Sequence, residues 1–226
     1  MSNHMNNTTL IIDFDSTFIK IESLDKLAEV SLENHPDKDV IVNKISSITD
    51  QGMNGDISFA ESLSERIALL KSDKTLIAKL VEQLKEEISD SFVRNRSFVE
   101  ENADDIYIVS SGFKEIIAPV VAEYNIEASH VYANTFEFDN QGNIIGVDNN
   151  NPLAGNGGKI KVVKSLNLAN NNNVIAIGDG YTDYEIKKSG MATIFCAFTE
   201  NISRDKVTAV ADHITNSFDQ IITLIK

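Results

Sequence analysis

The sequence predicts an α/β fold: a doubly wound, Rossmann-like parallel sheet carrying a small inserted helical bundle. Three observations predict it. Short apolar runs recur along the chain, and most are continuous, as in strands buried on both faces of a parallel sheet. Helical patterns lie between these runs, which is the alternation of an α/β domain. From about residue 22 to 87 the composition becomes helical, so one insertion separates the first strand from the second.

The elements follow in order. Residues 8–13 (TTLIID) form the first strand, and the insertion breaks at Pro36 and again at Gly52 to Gly55. Within it Phe59, Leu63, Ile67 and Leu70 recur at helical spacing and place one apolar face inward. Residues 105–110 (DIYIVS) form the second strand and 113–124 a helix, followed by a strand at 131–134. Residues 135–147 alternate around Asn140-Gln141-Gly142-Asn143, a hairpin signature. A helix at 159–166, a strand at 174–178, a helix at 183–189 and a strand at 192–197 complete the pattern. The Asn clusters at 149–151 and 170–173 read as loops. The expected domains are a core of residues 6–21 and 88–226 and a helical cap of 22–87.

Composition bounds the function. The chain has 226 residues, 42% hydrophobic and 24% charged, a globular balance. Its formal net charge of −14 argues against a nucleic-acid backbone or an anionic membrane as partner. No apolar stretch approaches the roughly 20 residues of a membrane span. The first residues, Met1 to Met5, have neither a basic region nor an apolar core, so no signal peptide is expected, and His4-Met5 has the look of a vector scar. A single cysteine, Cys196, rules out an internal disulfide and suits a reducing, cytoplasmic setting. A homodimer is left open.

Three of the strands end in polar clusters: Asp13-Phe14-Asp15-Ser16-Thr17, Ser110-Ser111-Gly112, and Gly178-Asp179-Gly180-Tyr181-Thr182-Asp183. Asp and Gly after a strand usually make a turn. In an open parallel sheet, however, the carboxyl ends of the strands form the ligand crevice, so three clusters there bring four carboxylates and a hydroxyl together. Clustered carboxylates repel, and a divalent cation relieves them; all-oxygen ligands favour Mg²⁺, which pairs one or two carboxylates with a substrate phosphate. That is the requirement of phosphoryl transfer. Asp13 can act as the nucleophile, and Asp15, on the same side of the extended chain, can exchange protons with the leaving oxygen and with water.

These runs, together with Gly157-Gly158-Lys159, match in order the four motifs of the haloacid dehalogenase superfamily of phosphatases. The resemblance is closest to the phosphoserine phosphatase family and covers almost the whole chain from Leu10 onward. It implies hydrolysis of O-phospho-L-serine to L-serine and phosphate through an aspartyl-phosphate, in serine biosynthesis. Asp13 is implied as nucleophile and Asp15 as general acid/base. Mg²⁺ would be held by Asp13, the Asp15 carbonyl and Asp179, with Asp183 in support. Ser110 would hydrogen-bond the phosphate, beside Ser111 and Gly112, and Lys159 would neutralise charge. Without the resemblance Lys159 reads as an ordinary basic residue early in a helix, and Lys161 is its nearby competitor.

The same resemblance assigns substrate contacts in the cap. Glu22, nine residues after Asp13, would meet the substrate ammonium, and Arg66 its carboxylate; Met53 and Phe59 correspond to apolar lid residues. Guanidinium pairs bidentately with a carboxylate, which agrees. The plainer readings are that Glu22 favours a helix N-terminus, Arg66 is a solvated residue at the edge of its helix face, and Phe59 is core. The sequence departs from the family at Ser111, where Gly is usual, at residues 92–96, which lack a Pro-Gly, and at Thr135, where Arg is frequent. Two rivals stand beside this reading. One is a phosphatase or phosphotransferase for another small phosphomonoester. The other is a phospho-acceptor signalling domain, against which Asp15 and the cap both argue. His35, His130 and His213 show no ligand spacing and read as surface residues, Cys196 reads as inert core, and residues 100–105 read as a solvated acidic face.

Overall fold

A computed structural model describes residues 5, 7–54, 56–168 and 173–225. The six strands of the main sheet are β1 (Thr8–Ile12), β2 (Ile106–Phe113), β3 (Val131–Asn134), β6 (Asn173–Gly178), β7 (Ile194–Phe198) and β8 (His213–Thr215). They are ordered β3-β2-β1-β6-β7-β8, every neighbouring pair parallel. A two-stranded antiparallel ribbon, β4 (Phe136–Phe138) with β5 (Ile144–Val147), is the expected hairpin.

The helices are α1 (Ser23–Ser31), α2 (Lys38–Asn54), α3 (Phe59–Leu69), α4 (Lys74–Leu84), α5 (Asp90–Arg94), α6 (Arg96–Glu101), α7 (Lys114–Val121), α8 (Gly158–Ser165), α9 (Tyr181–Lys188), α10 (Asp205–Thr208) and α11 (Phe218–Leu224). Continuous apolar strands need cover on both faces, and the packing supplies it. Leu10, Ile12, Ile108, Ile175 and Ile177 point into one apolar cluster with residues of α1, α4, α7 and α11, whereas Ile11, Val109 and Ala176 point into a second with Val162, Val163 and Ile186 of α8 and α9. Each buried Leu or Ile contributes on the order of 1.5–3 kcal/mol, so the register of β1 is fixed from both sides.

The chain leaves the core after Phe18 and returns at Ser89, and the two crossings pair with each other. Lys20 N–H donates to Glu87 O at 2.8 Å, and Ser89 N–H to Phe18 O at 3.0 Å. Between them lie α1 to α4. The α3–α4 connection also bonds to the ribbon: Ile144 N–H donates to Ser72 O at 2.9 Å and Lys74 N–H to Gly142 O at 3.1 Å.

Several expectations are corrected. Gly52 does not break the insertion; α2 runs through it to Asn54, because a bare Cα lets α2 press on α3, where an added Cβ would lie 2.7 Å from Ser62 Oγ. Strand β2 extends to Phe113, so the helix after it starts a residue late and gives way at Ala122 to a tighter turn. Asn149 to Asn151 do form a turn; residues 170–172 lie outside the described residues, and Asn173 opens β6. The segment lacking Pro-Gly is α5 and the start of α6. Of the acidic run, Asn102 and Ala103 are buried. His130 is half-buried, stacked on Tyr107, and its Nδ1 lies 3.0 Å from Ile106 O. Cys196 is fully buried, and burial pushes its thiol up to about 12. Among the described residues no helix is long and apolar enough to cross a membrane.

Candidate active site

The sheet order reverses at β1, which has β2 and β3 on one side and β6, β7 and β8 on the other. Ligands of such sheets bind beyond the strand ends at that point. A cavity of about 760 Å³ opens there, lined by Asp13, Asp15, Ser110, Ser111, Gly112, Lys159 and Asp179 from the core and by Glu22, Phe59 and Arg66 from the helical insertion.

Asp13 continues β1 in extended conformation, and its N–H donates to Ile177 O at 2.9 Å, so it sits beside the end of β6. The chain then turns sharply. Ile19 N–H closes back on Phe14 O at 3.0 Å, and Ser16 takes φ +54°, a left-handed conformation that a serine holds at some cost in strain. This turn swings Asp15 towards α1, where its Oδ1 accepts the Ser23 N–H at 2.7 Å, and sets Ser16 Oγ to donate to Glu22 Oε1 at 2.7 Å.

Carboxylate oxygens of Asp13, Asp179 and Asp183 lie within 4.8 Å of one another, all buried. Two cations enter this cluster. Lys159 Nζ is 2.9 Å from Asp13 Oδ2 and 2.7 Å from Asp183 Oδ1, and Arg204 Nε donates to Asp179 Oδ2 at 3.0 Å. Burial alone would lower the Lys159 ammonium, but Asp13 and Asp183 overcome it and hold it above its ordinary range. Burial, with the charge of Asp13 adding to it, raises Asp183 to about 8 and Asp15 to about 7, and raises Asp179 as well. Three carboxylates converge on one point, burial works against the charge of Asp179 and Asp183 there, and among the described residues Lys159 and Arg204 are the cations that pair with them, so the oxygen-donor set is short of positive charge. That donor set fits a divalent cation.

Glycines make the approach possible. A Cβ on Gly178 would stand 2.2 Å from Asp183, and one on Gly112 would stand 2.9 Å from Asp15 Oδ2. Gly112 N–H donates to Ser110 Oγ at 3.0 Å, which turns that hydroxyl to the cavity side of β2. Ser111 keeps its side chain half-buried, and its carbonyl accepts from Asn134 Nδ2 at 2.8 Å. Gly157 has φ +69° and starts the turn that delivers Lys159 on α8.

In the helical part, Arg66 is 6% exposed, which excludes the solvated-edge reading. Burial lowers its guanidinium, and Asp25, Glu22 and Asp15 oppose that. Glu22 does precede α1, yet its side chain makes no capping bond; it turns to Ser16, and burial with the charges of Asp15 and Asp179 raises it well above the usual carboxylate range. Phe59 begins α3 at the cavity wall. Met53 falls in the last turn of α2, and its side chain lies outside the described residues.

Two site contacts carry no clear mark in the sequence: Arg204 follows β7 with no motif around it, and only the strand-end position of Asn134 hints at its bond to Ser111.

Paired carboxylates, a buried lysine and an acidic cluster at a sheet switch point suit phosphoryl transfer. The family model of haloacid dehalogenase-like hydrolases matches residues 10–186, and the chain belongs to that family. Within it the chain is similar to proteins named phosphoserine phosphatase. The one from Lactococcus lactis is 32% identical over 83% of this chain and 83% of its own, and the one from Homo sapiens is 29% identical over 93% and 89%. A crystal structure of a phosphoserine phosphohydrolase-like protein from Francisella tularensis superposes with a TM-score of 0.85 at 31% identity, covering 97% of this chain and all of that one.

Proposed function

We propose that this enzyme hydrolyses O-phospho-L-serine to L-serine and phosphate, with Asp13 as nucleophile and residues 22–87 as a cap over the site. The observation that carries the reading is that one cavity gathers groups from the core and from the insertion. The core lines it with Asp13, Asp15 and Lys159, and the helical insertion lines it with the buried Arg66 and the half-buried Glu22. A phosphomonoester whose alcohol bears both a carboxylate and an ammonium group satisfies both ends at once.

Asp13, braced as an anion by Lys159, attacks phosphorus, and Asp15 gives its proton to the departing serine oxygen. The product is an aspartyl-phosphate on Asp13. Asp15 then takes a proton from a water that attacks the same phosphorus, releasing phosphate and restoring Asp13. A group held near pH 7 serves both transfers, since it is substantially populated in each form at neutral pH. Ser110 Oγ and the backbone at Ser111 and Gly112 hold the phosphate. Mg²⁺ would be held by Asp13, the Asp15 carbonyl and Asp179, with Asp183 in support, and would supply charge neutralisation for phosphoryl transfer. The buried cysteine supports a reducing, cytoplasmic setting.

Phosphate release across a panel of small phosphomonoesters with Mg²⁺ tests the substrate. Phosphoserine should lead the panel by at least about tenfold in kcat/KM over phosphoethanolamine, which lacks the carboxylate, as expected for one charge-assisted pair. A panel led by a sugar phosphate would overturn the assignment while leaving the phosphatase.

A further inference from the structure

Arg66 is a buried cation without a direct counter-ion. Among the described residues no carboxylate oxygen lies within 4.0 Å of it, although buried arginines are usually paired. Its Nε donates to Ser62 O at 3.4 Å, one turn back on α3, and its Nη1 donates to Thr49 Oγ1 at 3.3 Å. Thr49 is 4% exposed on α2, and its own hydroxyl proton goes to Asp25 Oδ1, at 2.8 Å, in the first turn of α1. The Ile45 carbonyl, at 3.1 Å, is the only other acceptor for that proton among the described residues, and it is the longer contact.

The geometry points to Thr49 and Asp25 as positioning residues that aim Arg66 and hold it free for the substrate carboxylate. The inference deepens the proposed function and rests on its reading of Arg66. An aspartate in direct bidentate contact would occupy the planar fork and compete with the substrate. One hydroxyl between them changes this. The carboxylate still offsets part of the charge, the guanidinium is anchored through Nε and Nη1, and Nη2 has no protein partner among the described residues. The three groups come from three different helices, so the relay also fixes how α1, α2 and α3 sit around the arginine. Neighbouring groups do not duplicate it: Ser62 Oγ donates to Ile48 O at 3.1 Å, and Glu22 Oε1 accepts from Ser16 Oγ at 2.7 Å.

The test compares kcat/KM for phosphoserine and phosphoethanolamine, whose ratio isolates the carboxylate contact, in wild type, Arg66→Ala, Thr49→Val, Thr49→Ser, Asp25→Asn and Asp25→Asn/Thr49→Val. Arg66→Ala should collapse the ratio. Thr49→Val keeps the shape and removes the hydroxyl; it should lower the ratio about five- to tenfold, mainly through the KM for phosphoserine. Thr49→Ser should return it to within about twofold of wild type, because the hydroxyl is restored. Asp25→Asn should lower it as well, and the double variant should be no worse than the poorer single one, as for two residues of one chain of contacts. If Arg66→Ala lowers the ratio and Thr49→Val does not, the relay is overturned and the carboxylate reading survives. An equal fall with both substrates, leaving the ratio untouched, reduces Thr49 to packing and overturns the relay too. A ratio unmoved by Arg66→Ala overturns the carboxylate reading itself, and the relay with it.

Discussion

Asp13, Lys159 and Asp183 lie in one line of contact, 2.9 Å and then 2.7 Å apart, so the proposed nucleophile is held by a cation that is itself held by a second acid. Replacing Asp13 by Asn keeps the shape, removes the nucleophile and leaves Lys159 its bond to Asp183. Asp13→Asn should therefore drop turnover to background while circular dichroism and cooperative melting persist; activity within a few-fold of wild type would remove Asp13 from the mechanism. Asp179→Asn should move the Mg²⁺ titration of activity to higher concentration, because it removes one anionic donor from the cluster. An unchanged titration would place the metal elsewhere. At this scale the aspartates were legible, since strand-terminal Asp-x-Asp and Gly-Asp-Gly leave few other uses for so many acids in one place. Lys159 was legible only through resemblance. Arg204, which donates to Asp179 at 3.0 Å, was not, because nothing local separates it from a surface arginine.

Elements meet where glycine allows it. A Cβ at Gly52 would approach Ser62 Oγ to 2.7 Å and Ser62 Cβ to 2.8 Å, so Gly52→Ala should force α2 from α3, cost about 1–3 kcal/mol and raise the KM for phosphoserine through the displaced Thr49. Thermal melting and steady-state kinetics check it, and an unshifted midpoint would show that the helix pair yields without penalty. The same residue shows why element boundaries were less legible than elements. Glycine reads as punctuation along a sequence, but here it serves a close approach between helices that are not adjacent until the chain folds. The continuous apolar strands, by contrast, declared themselves, because being covered on both faces leaves only one kind of residue possible. Strand β8 did not. At three residues on the sheet edge, with Ile214 59% exposed, it carries no burial pattern to read. The paired crossings at Ile19 and Ile88 were likewise invisible, since each is too short to show a period.

Across the whole molecule, a net charge of −14 coexists with acids buried against one another. Burial pushes Asp15 up to about 7 and pushes Asp183 up as well, against the pull of Lys159, whereas in the unfolded chain each carboxyl releases its proton near about 3.9. Between those values the native state binds more protons than the unfolded state, so stability falls as pH rises. With chelator present, the melting midpoint at pH 8.5 should lie several degrees below that at pH 5.5, taking about 2–4 °C per kcal/mol for a chain of this size. Mg²⁺ should recover more of the loss at the higher pH. Equal midpoints in chelator would contradict the electrostatic account of the site.

In the proposed reaction Asp13 accepts the phosphoryl group of phosphoserine. Acid quenching of the enzyme within milliseconds of mixing with phosphoserine and Mg²⁺, followed by peptide mapping by mass spectrometry, tests it directly. A phosphoryl group should appear on the Asp13 peptide, formed together with free L-serine and absent from Asp13→Asn. Turnover without any phosphorylated peptide, or the phosphoryl group on another residue, would contradict it.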